Sequence, residues 1–251
     1  MRKRAFRSSG NHQSLIQVPV FRLPDQEIVF PHPSLAEPTG ILAFGGDLSP
    51  ERIILAYQNG IFPWYDHGED IAWWCLTPRL MLIPSGVSIS KSMRSLINRS
   101  AFQISFDKCF LEVMQACRTI HRKGQRGSWI HYDIMEAFLK LHQLGLAHSV
   151  EVWQSGSLVG GLYGLALGKM FCGESMFAKV PNASKYGLIS LCKLLQKKEF
   201  DRIDCQQDTP HLRSMGADLY GREEFFQFLE QNKQFPLVQE SWLAHSEPEC
   251  V

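Results

Sequence analysis

The chain has 251 residues, of which 45% are hydrophobic and 20% charged, and its formal net charge is +1. That composition excludes a disordered chain and suits one substantial core, or one core with a small lobe. The near-neutral balance excludes global attraction to nucleic acid, so any such binding has to come from local basic patches.

Seven cysteines are scattered without a CxxC pair. Cys109, Cys172 and Cys192 lie inside apolar runs, where a reduced thiol behaves as a small hydrophobe, and this suits a reducing cytoplasm. Arg2, Lys3, Arg4 and Arg7 open the chain, but no apolar stretch of a signal peptide follows. No run approaches the roughly 18 uninterrupted apolar residues of a membrane span, so a cytoplasmic protein without membrane contact is expected.

Residues 1–29 offer only a short strand around Gln17 to Leu23. Pro38 to Asp47 places an apolar run between glycine-bearing turns, and Ser49-Pro50-Glu51 opens a helix with an N-cap serine, a proline at N1 and an early acid. That helix ends at Gly60 and delivers the aromatic elbow Ile61-Phe62-Pro63-Trp64-Tyr65, followed by Ala72-Trp73-Trp74. Trp64, beside proline at a turn, presents a flat indole face suited to stacking on a nucleobase or an apolar side chain. Thr77-Pro78-Arg79 closes this lobe.

Ser88 to Leu96 reads as a helix with Lys91 and Arg94 one turn apart, a solvated face that could also meet phosphates. Phe102 to Phe106 alternates as a strand, and Asp107 caps a helix whose apolar residues keep helical spacing up to Gly124. Arg118, Arg122, Lys123 and Arg126 cluster near its end. Cys117 and His121 have metal-ligand spacing but no second pair accompanies them, so no metal site is expected. A helix from about Tyr132 to Leu144 follows the glycine-led Trp129.

His148 to Trp153 and Leu158 to Ala166 read as two strands joined by a turn, and Gly168-Lys169 leads into a third around Phe171 to Phe177. Three glycines in the second strand predict close approach of another backbone or a ligand. Asn182 caps a helix through Lys198, a strand around Asp204 follows, and two further helices cover Thr209 to Met215 and Arg222 to Gln231. After Pro236 the tail is polar and is expected to lack order. The expected fold is α+β with a largely antiparallel sheet between helices.

The chemistry concentrates between Leu158 and Gln206. Glu174 is a carboxylate in an apolar strand, where unpaired burial costs several kcal/mol, roughly, so a cationic ligand would explain it. Asp204 and Gln206 stand two apart, and on a regular strand they share a face.

The ordered blocks Phe30-Pro-His-Pro, Leu42-Ala-Phe-Gly-Gly-Asp-Leu-Ser-Pro, Gly60-Ile-Phe-Pro-Trp-Tyr, His148-Ser-Val-Glu-Val-Trp, Gly173-Glu-Ser-Met-Phe, Asn182-Ala-Ser-Lys and Ile203-Asp-Cys-Gln resemble the bacterial leucyl/phenylalanyl-tRNA–protein transferases from about Phe30 to Leu229. The resemblance implies an N-terminal lobe over 1–79, an acetyltransferase-like (GNAT) domain over 80–235 and a polar tail over 236–251. It implies transfer of leucine or phenylalanine from leucyl-tRNA or phenylalanyl-tRNA to proteins beginning with Arg or Lys, marking them for degradation, by a monomer that uses no cofactor.

Carried over by position, the resemblance places Trp64 and Trp129 around the aminoacyl-adenosine end and Glu174 near the acceptor's positive first residue. It implicates Asp204 and Gln206 in the chemistry, with Gln206 accepting a hydrogen bond from the attacking amine and Asp204 polarising or orienting Gln206. Leu162, Met176 and Leu191 are candidate linings for the transferred side chain, and Lys91 and Arg94 candidate tRNA contacts. The chain departs from the family pattern at Cys75-Leu76, at Phe138, where tyrosine is common, and at Ser95 and Asn98, where basic residues are expected. Two rivals are a CoA-dependent acetyltransferase, which needs a glycine-bearing loop absent before Asn182, and a non-catalytic tRNA-binding module.

Overall fold

Elements in the first eighty residues form where turn chemistry and caps bracket apolar runs. The computed structural model describes residues 20–121 and 128–245. The basic start of the chain, residues 17–19 of the expected first strand, and Arg122, Lys123 and Arg126 lie outside the described residues. The first segment gives β1 (Phe21–Leu23), β2 (Ile41–Gly45), α1 (Pro50–Gln58), β3 (Phe62–Pro63) and β4 (Ala72–Trp74). Ser49 Oγ accepts from the Arg52 N–H at 3.4 Å at the start of α1. The four strands form one small sheet in the order β1-β2-β4-β3.

The remaining chain runs β5 (Arg79–Leu82), α2 (Lys91–Asn98), β6 (Gln103–Phe106), α3 (Phe110–Thr119), α4 (Tyr132–Gln143), β7 (Ala147–Gln154), β8 (Ser157–Leu167) and β9 (Met170–Ala178). It continues through α5 (Ala183–Lys197), β10 (Arg202–Gln206), α6 (Pro210–Ser214), β11 (Asp218–Tyr220) and α7 (Arg222–Asn232). The large sheet has the order β11-β5-β10-β9-β8-β7-β6. Within this sheet, among the described residues, only β9 and β10 pair in parallel; the other neighbours are antiparallel. The mixed α+β expectation with a largely antiparallel sheet therefore holds.

Each face of that sheet carries its own core. Tyr57 of α1, Trp73 of β4, Phe138 of α4 and Phe225 of α7 share one apolar cluster with Tyr163 and Cys172 of the sheet. Met93 of α2 and Leu188, Leu191 and Leu195 of α5 cover the opposite face. The small lobe thus packs into the first core directly. Phe138 is fully buried and meets Tyr57 and Tyr163 edge-on.

Glycines in β8 do mark close approaches. A Cβ on Gly160 would stand 2.6 Å from the Ala183 Cβ, and one on Gly164 would stand 2.2 Å from the Cys172 carbonyl oxygen. The first lets the start of α5 rest on the sheet, and the second admits an irregularity in β9 that positions the site.

Several local expectations change. Asp107 does not cap α3, whose N-cap is Cys109. Its carboxylate instead accepts the Ser149 N–H at 3.0 Å and the Trp242 N–H at 2.7 Å, and lies 2.9 Å from His148 Nδ1. Asn182 occupies the N-cap of α5 with a left-handed backbone and no side-chain capping bond. The tail is not loose as far as His245: Trp242 is 1% exposed and stacks on His148 at 3.8 Å. A polar composition hid one large apolar anchor. No helix among the described residues is long and apolar enough to cross a membrane.

Candidate active site

Two irregularities in neighbouring strands create the site. On β9 the pairing with β8 jumps from Tyr163↔Ser175 to Gly164↔Gly173, leaving Glu174 as the extra residue of a bulge. On β10 the pairing with β5 jumps from Asp204↔Met81 to Gln206↔Leu80, leaving Cys205 extra. The parallel pairing of β9 with β10 ends at Cys172↔Asp204. Beyond that point the strands part, and Glu174 and Gln206 meet in the gap. Bulges of this kind re-aim side chains and stop pairing, which frees polar groups for a ligand.

Gln206 Nε2 donates to Glu174 Oε1 at 3.2 Å. With its nitrogen so committed, the side-chain oxygen of Gln206 is the acceptor left for an incoming amine. Burial pushes the Glu174 carboxyl up to about 8, the Asp204 charge adds to the rise, and Tyr57, Gln206 and Arg79 pull it back. The Tyr57 hydroxyl lies close enough to favour the carboxylate without a well-formed hydrogen bond. Burial therefore favours the neutral form of this carboxyl, and a cation placed beside it would favour ionisation.

Asp204 does not share a face with Gln206. The Cys205 bulge separates them, and Asp204 is 1% exposed inside the protein while Gln206 faces the cavity. Arg79 Nε and Nη2 each donate to one Asp204 oxygen at 2.7 Å, and Asp204 Oδ1 also accepts the Gln206 backbone N–H at 2.9 Å. Burial pulls the Arg79 guanidinium down, but the Asp204 carboxylate more than offsets this, so its pKa is raised. Of the two expected ways for Asp204 to act on Gln206, polarising or orienting it, the contact seen is a grip on the Gln206 main chain. Gln206 has φ +53°, a left-handed conformation that a non-glycine residue adopts at a cost of about 1 kcal/mol or more. The Asp204 bond helps to hold it there.

A cavity of about 490 Å3 opens over this pair. Its wall includes Trp64, Trp129, Leu162, Met176 and Leu191, with Phe171 and Leu188 beside them. Glu174 is the one carboxylate among the described residues that line it, and no lysine or arginine joins them. The volume and the mostly apolar wall with few polar groups suit a small organic ligand. Trp64 is 39% exposed, with its ring 5.6 Å from Trp74 and its carbonyl accepting Trp74 Nε1–H at 2.6 Å. Trp73 is instead fully buried, donating to the Gly45 carbonyl at 2.9 Å.

Eight of the ten candidates thus gather at one place, seven on the cavity wall and Asp204 behind it. Lys91 and Arg94 do not line the cavity; they are exposed on α2. No group of three or more His, Cys, Asp or Glu side chains among the described residues could hold a metal ion. Arg79 and Tyr57 were missed by sequence reasoning. The signal for Arg79 was the one that flagged Glu174, a charge entering an apolar run, here Leu80-Met81-Leu82.

Comparison with known proteins gives one family. A family model described as leucyl/phenylalanyl-tRNA protein transferase matches residues 81–230, and the N-terminal domain model of the same family matches residues 46–76. The leucyl/phenylalanyl-tRNA–protein transferase of Desulfatibacillum aliphaticivorans is 47% identical over 230 residues, covering 92% of this chain and 98% of that protein. Its counterpart in Flavobacterium johnsoniae is 49% identical over 204 residues, covering 81% of this chain and 96% of that one. Among solved structures, L-PGS from Bacillus licheniformis covers 76% of this chain and 64% of its own with 12% identity and a TM-score of 0.36, too loose a match to place the fold.

Proposed function

Because the chain belongs to the leucyl/phenylalanyl-tRNA–protein transferase family, we propose that it transfers leucine or phenylalanine from aminoacyl-tRNA to the α-amino group of proteins that begin with arginine or lysine. The product carries a new N-terminal residue that marks it for degradation. The observation that carries the acceptor side of this reading is the Glu174–Gln206 pair at the parting of β9 and β10.

The cavity divides by chemistry. Trp64 and Trp129 offer indole faces for the terminal adenosine, with base stacking worth about 1–3 kcal/mol per base. Leu162, Met176 and Leu191 offer an apolar wall for the leucine or phenylalanine side chain, which is selected by shape at about 1–3 kcal/mol per methylene. Glu174 receives the acceptor's cationic side chain and ionises as it does so, and Gln206 aligns the α-amine.

The reaction asks little beyond alignment, since the aminoacyl ester is already activated. The amine nitrogen attacks the ester carbonyl carbon, the new C–N bond forms, and the C–O bond to the ribose breaks. The Gln206 side-chain oxygen accepts a hydrogen bond from the amine and so directs its lone pair. Glutamine is not a base at neutral pH, so the proton leaves through water or a ribose hydroxyl, and the departing ribose oxygen ends protonated. Arg79 and Asp204 act one step back, by holding the Gln206 backbone.

The splayed β9–β10 pair supports an acetyltransferase-like (GNAT) reading of residues 80–235, following an N-terminal lobe over 1–79. A cytoplasmic protein acting as a monomer completes the reading, and the free thiols of Cys75, Cys109, Cys117, Cys172, Cys192 and Cys205 suit a reducing compartment. Transfer of labelled leucine from leucyl-tRNA to an arginine-initiated peptide, beside an alanine-initiated peptide and a Gln206→Ala variant, tests the reading. Transfer to the first peptide alone, weakened in the variant, is expected; no transfer by folded protein from either aminoacyl-tRNA rejects it.

A further inference from the structure

Trp64 and Trp129 wall the same cavity from separate segments. Trp64 follows β3 of the small sheet and Trp129 precedes α4, and among the described residues no strand pairing joins the two. Their separation must be set by something else. The residue after Trp64 supplies it: the Tyr65 hydroxyl donates to Asp133 Oδ2, and His131 Nε2 lies 3.1 Å from the Tyr65 carbonyl oxygen. The Tyr65 and His131 rings pack 5.6 Å apart.

The Trp129 segment is fixed on its other sides as well. Ile130 is fully buried, and the Arg118 guanidinium of α3 stacks on Tyr132 at 4.0 Å. Asp133 stands in the first turn of α4, and its Oδ1 accepts the Ile134 N–H at 2.9 Å. Apolar packing alone would hold two rims together loosely. A tyrosine-to-carboxylate bond is directional, and it lies one residue from Trp64 and four from Trp129.

We propose that Tyr65, His131 and Asp133 form a positioning latch that sets the spacing of Trp64 and Trp129 and thereby the grip of the enzyme on the terminal aminoacyl nucleotide of the donor tRNA. The inference rests on the transfer reading above and adds residues to its donor side. The latch touches no reacting atom. Its mark is on donor affinity, and the acceptor side is untouched.

Tyr65→Phe removes the hydroxyl and keeps the ring. The KM for leucyl-tRNA is expected to rise about five- to tenfold, the worth of one ordinary hydrogen bond, with kcat and the acceptor KM within about twofold of the original. Asp133→Ala gives the same rise, Asp133→Asn largely restores donor affinity because its amide oxygen still accepts, and the Tyr65→Phe/Asp133→Ala pair is no worse than either alone. Tryptophan fluorescence titrated with the leucyl amide of 3′-amino-3′-deoxyadenosine gives the same ratios without turnover. Unchanged donor affinity, additive effects in the pair, or a fall in Tm with donor and acceptor parameters impaired alike overturns the latch. A protein that binds the amide analogue with these ratios yet transfers no leucine rejects the transfer reading and leaves the latch standing.

Discussion

Arg79 and Asp204, 125 positions apart in sequence, form a fully buried bidentate ion pair, and the same carboxylate holds the Gln206 backbone N–H at 2.9 Å. The pair joins β5 to β10 and helps to hold the main-chain conformation of Gln206, which lines the cavity. The guanidinium is also packed between Phe62 and Phe225, at 5.0 and 4.8 Å from their ring centres.

Removing one partner should cost about 3–5 kcal/mol, because the other charge is left buried and unpaired. Urea denaturation of Arg79→Met and of Asp204→Leu is expected to show this loss in each. The Arg79→Met/Asp204→Leu double variant should recover most of it while transfer stays low, since the Gln206 backbone has lost its acceptor. Full transfer by the double variant would remove Asp204 from the positioning of Gln206.

Trp242 anchors the C-terminal segment against His148, and its N–H is held by Asp107. Trp242→Ala should destabilise the fold by about 3–5 kcal/mol, as for other buried tryptophans. The kcat and both KM values at a temperature where the variant stays folded are expected to match the original, because none of these groups lines the cavity. A chemical denaturation curve and one set of transfer kinetics check both halves.

Lys91 and Arg94 are exposed on α2, away from the cavity. If they meet tRNA phosphates, replacing both with alanine flattens the plot of log affinity against log salt by about one for each phosphate left without its cation. Binding of leucyl-tRNA measured between low and moderate salt yields the slope. An unchanged slope assigns them to a solvated helix face.

The raised Glu174 carboxyl predicts a proton signature. Its pKa of about 8 keeps it protonated at pH 7, and a cationic side chain favours the ionised form, so binding should release about one proton. Affinity for an arginine-initiated peptide therefore rises as pH climbs towards about 8 and levels off above it. Calorimetry at pH 7 in buffers of different ionisation enthalpy measures the proton count, and Glu174→Gln should abolish this contribution.

How far the sequence carried depended on the range of each interaction. Glu174 was legible because a carboxylate inside Phe171–Phe177 breaks an apolar run, and α1 was legible from Ser49-Pro50-Glu51. β5 and β11 were not, since they are short and pair across the chain, Arg79 with Tyr220. The expectation that Asp204 and Gln206 share a face failed because period-two alternation cannot foresee a bulge at Cys205. Arg79 went unnoticed beside Thr77-Pro78, which reads as the end of a lobe, and Trp242 was concealed by its polar neighbours.

If Glu174 reads the acceptor's positive charge, the choice of acceptor has to depend on its carboxyl group. Leucine transfer is measured as kcat/KM on arginine- and alanine-initiated peptides, with the original protein and with Glu174→Gln. A strong preference for arginine is expected, falling about tenfold or more in the variant, the worth of a charge-assisted hydrogen bond. An arginine preference undiminished in Glu174→Gln would remove Glu174 from acceptor recognition.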